Sequence, residues 1–381
     1  YLIFVYDFFE NKSKDIIKLG IHSNFLIFQI LIYYSSVIFL YFQLKNILEK
    51  KILFFNLSFL SLEPTIFQFH GSFWSESIFF SIQVFLIGLI LNNTQKNLRY
   101  FFIGVVLSIL SLQRSNGFFY IVPILTYFYL TIGFSFTRKV IYVLTGFSIL
   151  LLFVGYHNYK KSDEFYIFPA ELNAVLHTYV VPNILSEKDL LKEKNKTIKF
   201  LKSKDLDLDY EHLKTRNYLK FAFDFCEADV KIEKRNNDLY FACEYLQKQS
   251  YKLIISNPLL TIKFVAKKSI SFVILNPFSI YSDNRCFIDS CYDQDNHRKL
   301  IPYRILYSIL IYSICLFGFI KIFRAQNKNI LLFTLLSSFY FFSILSWHGN
   351  NRYFVSSLIY FSFYFGYGMN QLLSFFNKKS I

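Results

Sequence analysis

The sequence predicts an all-α polytopic membrane protein, with about nine transmembrane helices and a helical extracytoplasmic domain before the last three. Its 381 residues are 54% hydrophobic and 21% aromatic. The apolar residues recur in blocks of roughly 20, the length that crosses about 30 Å of hydrocarbon. Short basic loops alternate with loops of other polar composition, which indicates that the chain passes repeatedly from one membrane face to the other.

This pattern divides the chain into four segments. Residues 1–22 have the composition of the tail of an outer loop, and because the only methionine is Met369 we expect an N-terminal truncation that removes at least one span. Residues 23–156 are a first transmembrane bundle, 157–302 an extracytoplasmic domain with an interfacial helix, and 303–381 the C-terminal transmembrane helices. The nine apolar blocks lie at residues 23–42, 52–67, 73–91, 98–112, 118–136, 140–156, 303–322, 330–347 and 354–375.

The distribution of charge predicts the orientation of the spans. The chain carries a formal net charge of +15, much of it in short loops at residues 45–51, 96–99, 138–139, 321–328 and 378–379. An excess of Lys and Arg marks cytoplasmic loops. We therefore expect these loops in the cytoplasm and no nucleic-acid partner. The remaining polar clusters then all fall on the non-cytoplasmic face.

Residues 157–302 are too long for a simple loop and too polar for a span. Residues 186–249 combine Lys, Glu and Asp with apolar residues at helical spacing, which predicts a small helical domain. The apolar block 259–275 contains Lys263, Lys267 and Lys268. It therefore fits an amphipathic helix in the membrane interface better than a helix that crosses.

Four of the five cysteines, Cys226, Cys243, Cys286 and Cys291, lie in the same segment. An oxidising compartment permits disulfides, and the shortest closures would join Cys226 to Cys243 and Cys286 to Cys291. Small buried residues that never pair are an equally good interpretation. No histidine lies at zinc-ligand spacing from a CxxC pair, so the sequence predicts no zinc site and assigns no residue as a metal ligand.

Polar residues around the turn after the second block are the first candidates for function. Glu63 and Glu76 flank this turn, which contains His70, and Ser75 precedes Glu76. The helix dipole favours a carboxylate in the first turn of a helix, so Glu76 has a structural interpretation with Ser72 as N-cap. A carboxylate at interfacial depth also needs partners, which favours a binding site.

Two further turns on the same face carry cations. Arg114 and Asn116 lie between two blocks, where the arginine is not needed for orientation. Arg114 either pairs with Glu76 structurally or binds an anion such as a phosphate or a carboxylate. His348 and Arg352 belong to the second cationic turn. Converging donors beside a lipid-facing bundle suit a lipid-linked phosphate.

Three stretches of the sequence carry a resemblance to a known family. Residues 74–91, WSESIFFSIQVFLIGLIL, and 110–123, LSLQRSNGFFYIVP, are similar to the SES-L-F and R-SNG signatures of GPI mannosyltransferase II and its bacterial relatives. Residues 348–361, HGNNRYFVSSLIYF, resemble the NxRY opening of the last span in many GT-C enzymes, without their later proline. The layout of the chain is similar to the GT-C superfamily of multispan glycosyltransferases over most of its length.

The resemblance implies transfer of a hexose, with mannose as the candidate sugar. The donor would be a polyprenyl- or dolichyl-phosphate sugar, and the acceptor a lipid-linked or glycan hydroxyl on the non-cytoplasmic face. An acidic residue of the first outer loop would act as general base, and cationic groups would stabilise the leaving phosphate. At most residues 1–22 of that loop are present. The candidate catalytic residues are Asp7, in this segment, and Glu76, after the second apolar block. A base upstream of Tyr1 is the alternative. The candidate substrate-binding residues are Glu63, His70, Ser75, Arg114, Asn116, His348 and Arg352.

Other functions stay open at this point. A transporter or flippase of a lipid-linked saccharide would carry charged residues near mid-span and Gly or Pro breaks, of which the blocks contain few. A membrane scaffold is a third class. The chain lacks the P-loop, dinucleotide-binding and H-E-x-x-H patterns. A divalent cation remains an open cofactor, and the expected location is the inner (plasma) membrane or, alternatively, the endoplasmic reticulum membrane.

Overall fold

The computed structural model describes residues 20–66, 75–92, 96–132, 136–162, 165, 167, 180–204, 237–275, 294–324, 327–348 and 352–379. The regular elements in these ranges are all helical. They are α1 (Gly20–Leu44), α2 (Lys50–Leu62), α3 (Ser75–Leu91), α4 (Asn97–Gln113), a 3₁₀ helix (Ser115–Tyr120), α5 (Ile121–Ile132), α6 (Phe136–Ser162), α7 (Val181–Ile184), α8 (Glu187–Lys202), α9 (Asn237–Ser256), α10 (Pro258–Leu275), α11 (Gln294–Arg324), α12 (Lys328–His348) and α13 (Arg352–Lys379).

In the part of the chain that the structure describes, every predicted apolar block overlaps a helix, so the all-helical fold class is confirmed. The fifth block is divided between the 3₁₀ helix and α5. Two helices continue into the polar segment that the sequence assigned to the extracytoplasmic domain: α6 ends at Ser162 and α11 begins at Gln294. A helix needs no apolar side chains where its surface is solvated, so it can extend beyond the hydrocarbon-length block.

Among the described residues, three helices are long and apolar enough to cross a membrane, within Ile27–Leu44, Phe136–Lys160 and Ile305–Arg324. Only 33%, 28% and 22% of these three apolar stretches are buried inside the protein, so most of their side chains point outward. Outward apolar surface on a long helix suits lipid better than water. The chain therefore has the character of a membrane protein, and the nine-span arrangement stays a prediction.

The chain divides into two compact units. Unit 1 lies within residues 1–153, 271–342 and 351–381, and unit 2 within residues 154–270 and 343–350. In unit 1, α13 packs against α11, α2 and α3, and α1 packs against α3. Aromatic side chains fill the interior of this bundle, where Tyr120 contacts the rings of Tyr340, Phe341 and Tyr360.

Small residues allow several helices of unit 1 to approach backbone to backbone. A Cβ added at Gly104 of α4 would overlap the carbonyl oxygen of Val143 on α6, and one added at Gly318 of α11 would overlap that of Tyr364 on α13. Lipid tails are as apolar as leucine, so helices in a bilayer associate largely through such close packing. This packing is therefore what we expect of a bundle formed in lipid.

Hydrogen bonds join neighbouring parts of the bundle near both ends of unit 1. At the end that carries the basic loops, Asn327 donates to Tyr367 at 2.7 Å and Asn370 donates to Glu49 at 3.3 Å. At the opposite end, the Tyr33 hydroxyl donates to the carbonyl of Leu60 at 2.7 Å. We call this opposite end the Arg114 end, because α2 and α4 finish there and α3 begins there.

Unit 2 contains α7 to α9 and most of α10. Its apolar core includes Val180, Ile184 and Phe264, with Ile254 and Val265 packed against them. The Ser186 side chain accepts a hydrogen bond from the backbone of Asp189 and caps α8. The regular elements described in this segment are helices, and the extracytoplasmic domain stays a prediction.

Replacement of Gly104 by Ala tests the close packing. Alanine normally stabilises a helix by about 0.5–1 kcal/mol relative to glycine, but here its Cβ meets immobile backbone of α6. We expect the free energy of unfolding to fall by about 1–3 kcal/mol, measured by thermal unfolding in detergent. Gly88→Ala is the control, because its Cβ would meet only the movable side chains of Phe39 and Gln43. Equal losses in both variants would contradict the account.

Candidate functional site

Glu76 and Arg114 form a buried ion pair at the Arg114 end of unit 1. Glu76 Oε1 contacts Arg114 Nη1, and the relative exposures of the two side chains are 2% and 17%. Glu76 lies in the first turn of α3, where the helix dipole favours a negative charge. The pair joins the two stretches that carry the SES and R-SNG patterns, as the sequence allowed in one of its two interpretations.

The backbone around Arg114 brings its side chain to this position. Arg114 ends α4 in an extended conformation, with φ −151° and ψ 131°, and its N–H still donates to the carbonyl of Leu110. The chain then turns sharply, and the Gly117 N–H donates to the Arg114 carbonyl at 2.8 Å. A Cβ at Gly117 would lie 2.7 Å from Leu110 backbone atoms. Glycine is therefore required for the turn to fold back against the last turn of α4.

Glu63 is a second buried carboxylate at the same end. It follows the last residue of α2 and is 4% exposed. The Thr65 hydroxyl donates to Oε1 at 2.8 Å, and the Ile66 N–H donates to Oε2 at 2.8 Å. The Tyr307 hydroxyl of α11 also donates to Oε1, at 3.3 Å. Glu63 thereby connects the end of α2 to the C-terminal helices.

Three hydrogen bonds to one carboxylate compensate part of its desolvation, because donors favour the ionised form. A buried carboxylate without such donors would be costly. Two of the three donors come from the three residues that follow Glu63, so the local turn supplies them. The third comes from a distant part of the chain, and it makes Glu63 a tertiary contact rather than a purely local cap.

The remaining predicted site residues are less completely placed. Asp7 and His70 lie outside the described residues. Ser75 begins α3, Asn116 lies in the 3₁₀ helix, His348 ends α12 and Arg352 begins α13. The structure describes the backbone of these residues and not their side chains. The described side chains therefore bring together Glu76 and Arg114, whereas Glu63 has different partners.

The described residues bear on the predictions about metals and disulfides only in part. Within the residues that the structure describes, no cluster of three or more His, Cys, Asp or Glu side chains could hold a metal ion. Cys226, Cys286 and Cys291 lie outside the described residues, as does the side chain of Cys243. Cys315 is buried with a free thiol.

The sequence did not reveal which polar side chains form hydrogen bonds inside this bundle. Tyr307 is one of 29 tyrosines, and nothing in its local sequence distinguishes it. Gln83, by contrast, is a lone amide in an apolar helix, which is a usable signal. Its side chain is fully buried and donates to the carbonyl of Ser356 at 2.8 Å. Close by in the bundle, the Tyr120 hydroxyl bonds to Ser337, at 2.8 Å, and to Tyr360.

Comparisons of the chain with known protein families, with curated proteins and with solved structures found no match. The resemblance to GT-C enzymes therefore remains a hypothesis from short motifs.

Removal of the Tyr307 hydroxyl tests the link between Glu63 and α11. Tyr307→Phe deletes a hydrogen bond to a buried carboxylate, and the bond is long. We expect the free energy of unfolding to fall by about 1 kcal/mol, measured by thermal unfolding in detergent. Tyr303→Phe is the control on the same helix, because Tyr303 is 69% exposed. A change within about 0.5 kcal/mol is expected there, and indistinguishable variants would contradict the tertiary role of Glu63.

Proposed function

We propose that the protein is a multi-pass membrane glycosyltransferase of the GT-C type. It moves a hexose, with mannose as the candidate, from a polyprenyl- or dolichyl-phosphate sugar to a lipid-linked or glycan acceptor. The nine apolar blocks are its spans in an inner (plasma) membrane or an endoplasmic reticulum membrane, and among the described helices α1, α6 and α11 are long and apolar enough to cross. The Arg114 end faces away from the cytoplasm, because the basic loops lie at the other end.

The buried pair of Glu76 and Arg114 carries this proposal. Among the described residues of unit 1, the buried charged side chains are Glu63 and Glu76, and both lie at helix ends. Ionisable groups buried in a membrane protein are costly and usually functional. Here both lie at one end of the bundle, and Glu76 and its partner Arg114 also lie within the stretches that resemble the GT-C signatures. A lipid-phosphate donor presents its phosphate at such an end while its tail stays in the bilayer.

The exposures of the two partners suggest different roles. Glu76 is the inner partner, at 2% exposed, and Arg114 the outer partner, at 17%. A carboxylate paired with an arginine is a weaker base, because the opposite charge stabilises its ionised form, and an enclosed carboxylate is less accessible to an acceptor hydroxyl. We therefore assign Glu76 to the positioning of Arg114, and Arg114 to the donor phosphate. The base is then an acidic residue elsewhere, for which Asp7 stays the candidate of this chain.

The alternative of a transporter or flippase receives less support. Such proteins carry ionisable groups near the bilayer midplane, on discontinuous helices. In the described part of unit 1, the mid-helix buried polar side chains are neutral, for example Asn56, Gln83 and Ser337. Neutral amides and hydroxyls stabilise helix contacts in lipid, and here Asn56 donates to Ser362 on α13 at 2.8 Å.

Substitution of Arg114 by Lys tests the proposed role of the guanidinium. Lysine keeps the charge but loses the planar fork that matches a phosphate. We expect the kcat/KM of hexose transfer to fall tenfold or more, which is roughly 1.4 kcal/mol in the barrier. The assay uses the full-length protein in membranes with a polyprenyl-phosphate hexose donor, and it is corrected for the amount of folded protein.

Arg99→Lys is the matched control. The Arg99 guanidinium donates to the carbonyls of Leu89 and Ile90, each at 2.6 Å, at the basic end of the bundle. We expect its loss to alter stability and to leave transfer per folded molecule unchanged. Wild-type transfer by the Arg114→Lys variant would remove Arg114 from the site. The wild-type protein is also assayed with several donors, each of which carries a different hexose. Absence of transfer from all of them would count against the glycosyltransferase itself.

A further inference from the structure

The junction of α9 and α10 in unit 2 presents apolar side chains to the outside. Ile255 is 76% exposed, Leu259 is 80% exposed and Ile262 is 64% exposed. Leu259 and Ile262, three residues apart, lie on one face of α10, and Ile255 lies in the last turn of α9, just before the junction. We call these three residues the α10 stripe. Isolated exposed apolar residues are common, but three large exposed aliphatic side chains close together in the chain indicate a surface that contacts something apolar.

The opposite face of the same segment is anchored in unit 2. Ile254, Thr261, Phe264 and Val265 are buried or half-buried, and Ile254, Phe264 and Val265 pack on the core formed with α7. The Asn257 side chain donates to the carbonyl of Leu253 at 2.8 Å and fixes the junction between the two helices. The stripe is therefore held outward by the packing behind it.

The charged residues around the α10 stripe indicate which kind of partner it contacts. Residues 250–275 contain four lysines, at positions 252, 263, 267 and 268, and no Asp or Glu. Lys252, Lys263 and Lys267 are exposed. An apolar face beside lysines is the pattern of a helix that lies in the interface of an anionic membrane. A second copy of the chain fits less well, because a symmetric contact would bring the two rows of lysines together.

The position of this segment along the chain also favours lipid. The candidate spans Phe136–Lys160 and Ile305–Arg324 precede and follow it. If both cross a bilayer, the segment between them starts and ends at a membrane surface. The α10 helix contains Lys263, Lys267 and Lys268 among its apolar residues, so a parallel orientation is the one that satisfies both its apolar and its charged residues.

We propose that the α10 stripe inserts into the surface of an anionic lipid membrane, with Lys252, Lys263 and Lys267 at the phosphate groups. This contact anchors unit 2 to the bilayer independently of the helices that cross it. It requires no catalytic activity, so its test is separate from that of the glycosyltransferase.

Photocrosslinking of the full chain tests the anchor. A benzophenone amino acid is placed at Leu259, and in a second variant at Ile262, in nanodiscs that contain phosphatidylglycerol. We expect lipid adducts by mass spectrometry at both positions, in several-fold higher yield than at Leu191, which is the control. Leu191 is also exposed, at 58%, but it lies on α8 beside acidic as well as basic residues.

The lysines are tested in the same system. The combined variant Lys263→Gln and Lys267→Gln should lower the adduct yield with phosphatidylglycerol and leave the yield with phosphatidylcholine alone unchanged. An unchanged yield with phosphatidylglycerol would overturn the preference for anionic lipid. Crosslinks to a second copy, crosslinks to another part of the same chain, or a lipid yield no higher than at Leu191 would each overturn the anchor.

Discussion

The cost of burying charge in an apolar bundle determines how this protein is arranged. Desolvation of a carboxylate and a guanidinium costs several kcal/mol per ion, and their mutual attraction offsets this only in good geometry. Glu76 and Arg114 meet that requirement where α3 begins and α4 ends, with the helix dipole in favour of the carboxylate. Glu63, just after the end of α2, accepts three hydrogen bonds that offset part of its desolvation. Both arrangements occur at one end of unit 1, and the middle of the bundle keeps neutral polar groups.

The same constraint explains the rest of the bundle. Where no ions are buried, the helices associate through close backbone packing, as at Gly104 and Gly318, and through neutral hydrogen bonds such as that from Asn56 to Ser362. In the described part of unit 1, the buried charged side chains lie at one end of the bundle, and the buried polar side chains in its middle are neutral. That arrangement suits a substrate whose tail remains in lipid and whose phosphate is held at the surface.

Hydrocarbon-length apolar blocks predicted the helices well, because helix formation in an apolar chain depends on local composition. The same reasoning placed Glu76 and Arg114 on one face, since alternating loops must alternate sides. It did not find Tyr307 as a partner of Glu63. That contact joins residues 244 positions apart, and a tyrosine in an aromatic-rich helix gives no local signal. Helix ends were also misjudged, as at Ser162, because solvated helix continues beyond an apolar block.

We propose that the Glu76–Arg114 pair serves a substrate as well as the fold, and exchange of the two charges tests this role most directly. The variant with both Glu76→Arg and Arg114→Glu can re-form an ion pair, so we expect it to be more stable than either single variant. Its outer partner is then a carboxylate, which repels a phosphate, so hexose transfer should stay at least tenfold below wild type, about 1.4 kcal/mol in the barrier. Recovery of stability and transfer together would show that the pair is only a structural brace and would contradict the account.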